Sequence, residues 1–275
     1  MEKIDCKAMA QEILDSVKAI PNKKKLCILS VGHDPASESY MKGKLKDAEY
    51  CEVPAEVIWF DEKENPAETA SDMIVKINEL NHDNYVGGII VQLPLPENMK
   101  DFEQDILNEI YPYKDVDGFS PLSPYKPCTP EGIMYIMGKE GFRPGDTVLL
   151  IGKGKLVGKP LINMLLDAGY TVTVAHSRTK HFKLLMCNPH SCKPTWDVVI
   201  TATGHLIPEL SYVDAFDIID AGIHRGDDGK IHGDFDPDSW VYDWSYTRYT
   251  SVPGGVGLLT RAMLMKHMGE TGEKA

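Results

Sequence analysis

The chain has 275 residues, of which 43% are hydrophobic and 25% charged, and a formal net charge of -12. That length allows about two domains with their own cores, and the acidic balance argues against a nucleic-acid partner. No apolar run approaches the ~18 residues of a membrane span and no basic-then-apolar leader is present, so the sequence predicts a soluble, cytoplasmic protein without a membrane partner. The six cysteines lack the spacing of a disulfide framework, as expected of reduced thiols.

The first segment, to about Ala19, reads as an amphipathic helix with Ile4, Met9, Ile13 and Val17 toward a core. Lys25–Val31 reads as a strand and Gly32–Ala36 as a turn into a helix capped by Ser37. Tyr40 and Lys44, four apart on that helix, share a face and point into the same space, whereas Lys42 and Lys46 point elsewhere. A strand at Ala55–Phe60, a helix from about Pro66 to Leu80 and a buried parallel strand ending at Val91 continue the pattern, and Pro94 and Pro96 stop the ladder. Gln92 lies at the carboxyl end of that strand, where ligands collect in open α/β sheets.

Asn98 to about Ile110 is predicted helical. Lys114-Asp-Val-Asp-Gly118 then sets Asp115 and Asp117 on one side of an extended loop. Their spacing leaves open which of them, if either, is functional, and a solvated loop with a glycine turn accounts for both. Thr129 as cap and Pro130 as first helical residue open a helix that leads into a second domain, whose first strand begins near Thr147.

That domain is organised around Val148–Thr179, which reads as strand, glycine turn, helix and strand. Gly152-Lys-Gly-Lys-Leu-Val-Gly158 is one residue longer than the usual dinucleotide fingerprint. Such a turn offers backbone N–H groups and a helix N-terminus to a diphosphate; a tight turn of any doubly wound domain is the alternative. After the second strand, His176-Ser-Arg-Thr179 replaces the acidic residue that usually holds the ribose hydroxyls of NAD. Ser177 and Arg178 suit a 2′-phosphate and favour NADP, with a surface loop carrying a stray arginine as the alternative. Strands follow at Trp196–Gly204 and Phe216–Ile223, then a hairpin turn closed by Gly229 after Asp227 and Asp228, a glycine loop at Ser251–Gly257 and a last helix over Leu258–Met268. Cys187 and Cys192, with His181 and His190, invite a zinc site, but the spacing fits no common one; a variable surface loop is preferred and no metal is predicted.

Tyr40-x-x-x-Lys44, Val91-Gln-Leu-Pro-Leu-Pro96, Lys114–Gly118, Pro127-Cys-Thr-Pro130, the Gly152–Pro160 loop and Val252-Pro-Gly-Gly-Val-Gly257 occur in one order along nearly the whole chain. Together they resemble the methylenetetrahydrofolate dehydrogenase/cyclohydrolase family. The resemblance implies an α/β protein of two domains with a cleft between them: an N-terminal folate domain over residues 1–126, with the C-terminal helix 257–270 packed back on it, and a Rossmann-type NADP-binding domain over residues 127–256. It implies a homodimer acting on tetrahydrofolate derivatives, polyglutamylated ones included. Hydride would pass from 5,10-methylenetetrahydrofolate to NADP, and water would open the methenyl cation to 10-formyltetrahydrofolate.

By the same resemblance, Lys44 matches the family's essential lysine, Tyr40 and Gln92 its partners, and Asp117 the carboxylate that holds the pterin ring, with Pro253, Gly254 and Gly255 in the folate loop. Gly152, Lys153, Gly154, Gly158, Ser177, Arg178 and Ile223 match nucleotide contacts. Lys153 and Gly154 stand where the family usually has arginine and serine, which keeps NAD open beside NADP. Ser251 and Leu258 replace prolines, which should loosen that loop. Short-chain dehydrogenases also use Tyr-x-x-x-Lys, but there the pair follows the nucleotide loop. A dehydrogenase without hydrolysis and a non-catalytic folate- or NADP-binding homologue are the remaining alternatives.

Overall fold

The computed structural model describes the chain except residues 33–34, 187–194, 227, 242–246 and 272–275 and the side chains of 35–37 and 39. Asp227 and the Cys187–Cys192 stretch therefore lie outside the described residues, whereas Ser37, expected as a cap, stands inside a helix that already begins at Pro35. Contacts between backbones divide the chain into two compact units, each assembled from two stretches: Gln11–Cys128 with Arg261–Ala275, and Met1–Ala10 with Thr129–Thr260. The chain opens with a two-residue strand, β1 (Glu2–Lys3), and helix α1 (Cys6–Lys18), where Ile13 and Val17 are buried and Met9 is half-buried.

The unit built on Gln11–Cys128 holds strand β2 (Lys25–Val31), helix α2 (Pro35–Tyr50), strand β3 (Ala55–Phe60), helix α3 (Pro66–His82) and strand β4 (Val86–Val91). The strands are parallel in the order β3-β2-β4. All six residues of β4 are buried, as in a strand covered on both faces. α3 starts where the Asn65 side chain accepts from the Ala67 N–H and Pro66 takes the first helical position, a donor-free place that suits proline. Its other end is closed by Lys114, whose Nζ donates to the Leu80 and Asp83 carbonyls at 2.8 Å each. Leu29, Met73, Ile77, Ile89 and Ile106 form the core against β4, each worth ~1.5–3 kcal/mol of apolar burial. The segment predicted as one helix over 98–110 is a 3-10 turn, Glu97–Phe102, followed by a short helix, α4 (Glu103–Asn108).

Helix α5 (Cys128–Lys139) begins at Cys128 rather than after Thr129. Thr129 is thus inside the first turn instead of capping it, and its hydroxyl meets that of Thr260 at 3.0 Å. Strand β5 (Thr147–Ile151), helix α6 (Gly158–Asp167), strands β6 (Thr171–Ala175), β7 (Trp196–Thr201) and β8 (Ala215–Asp220), the hairpin of β9 (His224–Arg225) and β10 (Ile231–His232), and strand β11 (Arg248–Tyr249) follow, before the last helix, α7 (Val256–Glu270). The large sheet of this unit is parallel throughout in the order β1-β11-β8-β7-β5-β6. β1 had been expected within the opening helix of the first domain; instead Glu2 and Lys3 pair with Arg248 and Tyr249. Leu149, Val199, Leu210, Ile218 and Phe235 are fully or nearly fully buried in the core. Arg248 ties the sheet below by bridging Asp217 at 2.6 Å and Glu140. Among the described residues no helix is long and apolar enough to cross a membrane.

Candidate active site

In each sheet the chain leaves a central strand in one direction and returns on its other side: β2 lies between β3 and β4, and β5 between β6 and β7. Outside the carboxyl ends of two such parallel strands a crevice opens that no crossing helix fills. α2 follows β2, and Gln92 follows β4 directly, so Tyr40, Lys44 and Gln92 gather at the first of these switch points. Lys44 is only 4% exposed and Gln92 8%. The lysine Nζ donates to Gln92 Oε1 at 3.3 Å and stands 5.3 Å from the centre of the Tyr40 ring, within cation–π range. Gln92 Nε2 donates to its neighbour's carbonyl, Leu93 O, at 2.8 Å. That bond turns the amide so that only its oxygen faces the lysine. One N–H of the amide nitrogen is thereby engaged.

Asp115 and Asp117 do not lie on one side of an extended loop. They stand on a turn, Asp115 buried and Asp117 half-exposed. Asp115 accepts from the Gly118 N–H at 3.1 Å and the Ser120 N–H at 2.7 Å. Burial, reinforced by the charge of Asp117, pushes its carboxyl up to about 6 against these backbone donors. Its oxygens hold the turn together, and Asp117 is the more exposed of the two carboxylates. Asp117 takes no part in the bonds that join Lys44 and Gln92.

At the second switch point β5 ends in Gly152, whose φ of 115° is open to glycine alone. A Cβ there would run into Ala202 O, and one on Gly158 into Gly152 O, so the turn and α6 pack backbone against backbone. A Cβ on Gly154 would meet nothing of the chain within 4 Å. α6 begins without a side-chain cap; the Lys159 N–H donates to Gly154 O at 2.9 Å and Pro160 has none, so the Gly158 N–H and the positive dipole end are what this terminus offers an anion. Lys153, Ser177 and Arg178 are exposed around this turn. The loop after β6 is closed by Thr179, whose hydroxyl accepts from the His176 N–H at 2.9 Å. Ile223, 52% exposed, follows β8. These features fit a dinucleotide diphosphate with a further phosphate beside Arg178. Pro253 and Gly254 are exposed and Gly255 buried in the loop before α7.

Several residues that shape the sites carried no motif. Asp220 Oδ1 accepts from Thr201 Oγ1 at 2.9 Å and the Gly222 N–H at 2.8 Å, and its Oδ2 from the Phe235 N–H at 2.9 Å. Asp234 accepts from the Thr203 and His205 N–H groups at 2.7 and 3.0 Å. The two buried carboxylates thereby shape the loops beyond β7 and β8. An apolar strand ending in aspartate was the available signal. On α7, Arg261 Nε donates to Asp47 Oδ2 at 2.7 Å, and His267 meets the Val116 carbonyl at 2.7 Å, which seats the helix on its unit. Nothing in the sequence marked Arg261.

A doubly wound nucleotide unit joined to a second α/β unit with a buried lysine–amide pair defines a nicotinamide-dependent enzyme class. The comparisons narrow that class. The tetrahydrofolate dehydrogenase/cyclohydrolase catalytic domain matches residues 4–117, and the NAD(P)-binding domain of the same family matches residues 127–275. The bifunctional protein FolD of Agathobacter rectalis is 38% identical, covering 96% of each chain. That of Magnetococcus marinus is 35% identical over 99% of this chain and 97% of its own. The crystal structure of the bifunctional methylenetetrahydrofolate dehydrogenase/cyclohydrolase FolD from Campylobacter jejuni superposes with a TM-score of 0.81 at 33% identity, covering 98% of this chain and 97% of that one. The chain belongs to the tetrahydrofolate dehydrogenase/cyclohydrolase family.

Proposed function

We propose that this chain oxidises 5,10-methylenetetrahydrofolate to the 5,10-methenyl cation with NADP and hydrolyses the cation to 10-formyltetrahydrofolate. The observation that carries this reading is the Lys44 amine, buried at the β2–β4 switch point between the Gln92 amide oxygen and the Tyr40 ring. NADP supplies the hydride acceptor. Loss of hydride leaves a cation, so that step asks the protein for position rather than acid. Hydrolysis asks for a proton to be taken from water and one given to a ring nitrogen, and Lys44 Nζ does this work. Gln92, locked by Leu93 O, aims the amine. Asp117 holds the pterin, since the oxygens of Asp115 are spent on its own turn, and Tyr40 with Pro253, Gly254 and Gly255 bounds the folate.

The α6 N-terminus with Gly152, Gly154 and Gly158 takes the diphosphate, Lys153, Ser177 and Arg178 take the 2′-phosphate, and Ile223 packs against the nucleotide. The protein works in the cytoplasm as a homodimer on folates that include polyglutamates, a reading supported by family membership and checked by sedimentation and by comparing mono- with polyglutamyl substrates. The domain limits of residues 1–126 and 127–256 carry the same support.

The decisive test follows reduced nicotinamide and methenyl absorbance together with 5,10-methylenetetrahydrofolate and either NADP or NAD. Reduced nicotinamide without lasting methenyl is expected, faster with NADP. Lys44→Met should abolish hydrolysis and keep some hydride transfer. Equal loss of both refutes the division of roles, and no signal from the wild type with either cofactor leaves a binding protein.

A further inference from the structure

Tyr40, Gly43, Lys44 and Asp47 recur on α2 at i, i+3, i+4 and i+7, which makes them one stripe of the helix. Arg261 of α7 crosses that stripe. Its Nε is held by Asp47 Oδ2 at 2.7 Å, and its guanidinium fills the notch at Gly43, where any Cβ would run into it. Glycine inside a helix is unfavourable relative to alanine, so the notch is a cost that the arginine makes intelligible. Burial pushes the Asp47 carboxyl up, and the Arg261 guanidinium opposes this.

The guanidinium occupies the place of a Cβ at position 43, next to the root of the Lys44 side chain, and its charge disfavours an ammonium on that side. Nζ lies instead on Gln92 Oε1 and near the Tyr40 ring. We propose that Arg261 is a positioning residue for Lys44, acting through the gap at Gly43 and anchored by Asp47. The inference rests on Lys44 carrying the proton transfers.

The test compares Gly43→Ala, Arg261→Met and the double variant in the full chain. Alanine displaces only the mobile end of an arginine and favours the helix, so Gly43→Ala should fold with a melting temperature no lower than the wild type. Its kcat for hydrolysis of added 5,10-methenyltetrahydrofolate should fall about tenfold, as expected of a displaced catalytic group, with less loss of hydride transfer and KM held within about twofold. Arg261→Met should behave alike, and the double variant should be no slower than the slower single, since both remove one arrangement. Lys44 labelling by a succinimidyl ester, followed by peptide mass spectrometry, should quicken about threefold or more in each variant as the stem is released. A folded Gly43→Ala that hydrolyses and labels like the wild type overturns the proposal, as do losses that multiply in the double variant. A wild type that transfers hydride without hydrolysis refutes the role of Lys44 instead, and labelling alone then decides on Arg261.

Discussion

Replacing Asp220 by asparagine should remove a measurable part of the protein's pH dependence. Burial, with the charge of Asp234 adding to it, pushes the Asp220 carboxyl up to about 6 in the folded chain, against ~3.9 in an unfolded one. The folded state therefore holds the extra proton. Its stabilising effect is complete below the unfolded value and is lost as pH rises through about 6. The full span amounts to ~3 kcal/mol, of which ~1.4 kcal/mol falls between pH 5 and pH 7.5. For a domain of ~150 residues that is ~3–6 °C in melting temperature. Asparagine keeps one acceptor but turns an NH2 toward Thr201, Gly222 or Phe235, all of which donate here, at a cost of ~1–3 kcal/mol that does not vary with pH. Three of the four tryptophans, Trp196, Trp240 and Trp244, lie in Thr129–Thr260, so tryptophan emission reports the unit that contains Asp220. The assay is thermal unfolding by that emission from pH 5 to 7.5 for both chains. The gap between wild type and Asp220→Asn should narrow by ~1.4 kcal/mol as pH rises; a constant gap refutes the assignment of the buried proton.

Gly158→Val places a side chain against Gly152 O and the Lys153 Cα, neither of which can yield cheaply; calorimetry should find NADP binding weakened about tenfold or more and stability lower by ~1–3 kcal/mol. Gly154→Ala meets no atom of the chain itself, so the melting temperature should stay at the wild-type value, while the same titration should find NADP binding weakened because the Cβ enters the space the diphosphate takes. Asp117→Asn should raise the KM for folate with the melting curve unchanged, while Asp115→Asn should lower the melting temperature, because the latter breaks the turn at Gly118 and Ser120. Lys114→Met strips the Leu80 and Asp83 carbonyls of their donor and should cost ~1–3 kcal/mol in urea unfolding while kcat is retained.

The strands with long apolar runs, β2, β4, β5 and β7, were legible because burial on both faces leaves a plain signature. β1 and β11 were not. Two residues reading Glu-Lys or Arg-Tyr have no pattern: β1 is a strand only because β11 lies beside it, and β11 because it also adds to the edge of β8. The approach of Tyr40 to Lys44 followed from helical spacing, and the position of Gln92 from the end of a strand, but the lock from Leu93 O needed coordinates. Spacing could not separate Asp115 from Asp117, since the distinction is one of burial and of which backbone donors turn inward. Thr129 looked like a cap because threonine before proline usually is one; the helix starts a residue earlier and spends that hydroxyl on Thr260. Arg261 was invisible for a different reason. Its meaning depends on a glycine more than two hundred residues earlier in the chain, and only the crossing of α7 over α2 connects them.

The interleaving of the two units bears on how the protein is made. Glu2 and Lys3 find their strand partners only at Arg248 and Tyr249, and the unit that contains Lys44 is completed by Arg261 and the residues after it. During synthesis from the N-terminus at ~5–20 residues per second, β4 and the Lys44 helix emerge long before α7 can cover them. Both units thus wait on the last part of the chain, and the edge of β8 stays open until β11 arrives. A cut at the boundary between the two family domains would yield no self-sufficient half, because each fragment would leave with a piece of the other's core. Ribosome-bound chains halted before residue 248 should accordingly be sensitive to protease in both units, and release of the full chain should protect both together.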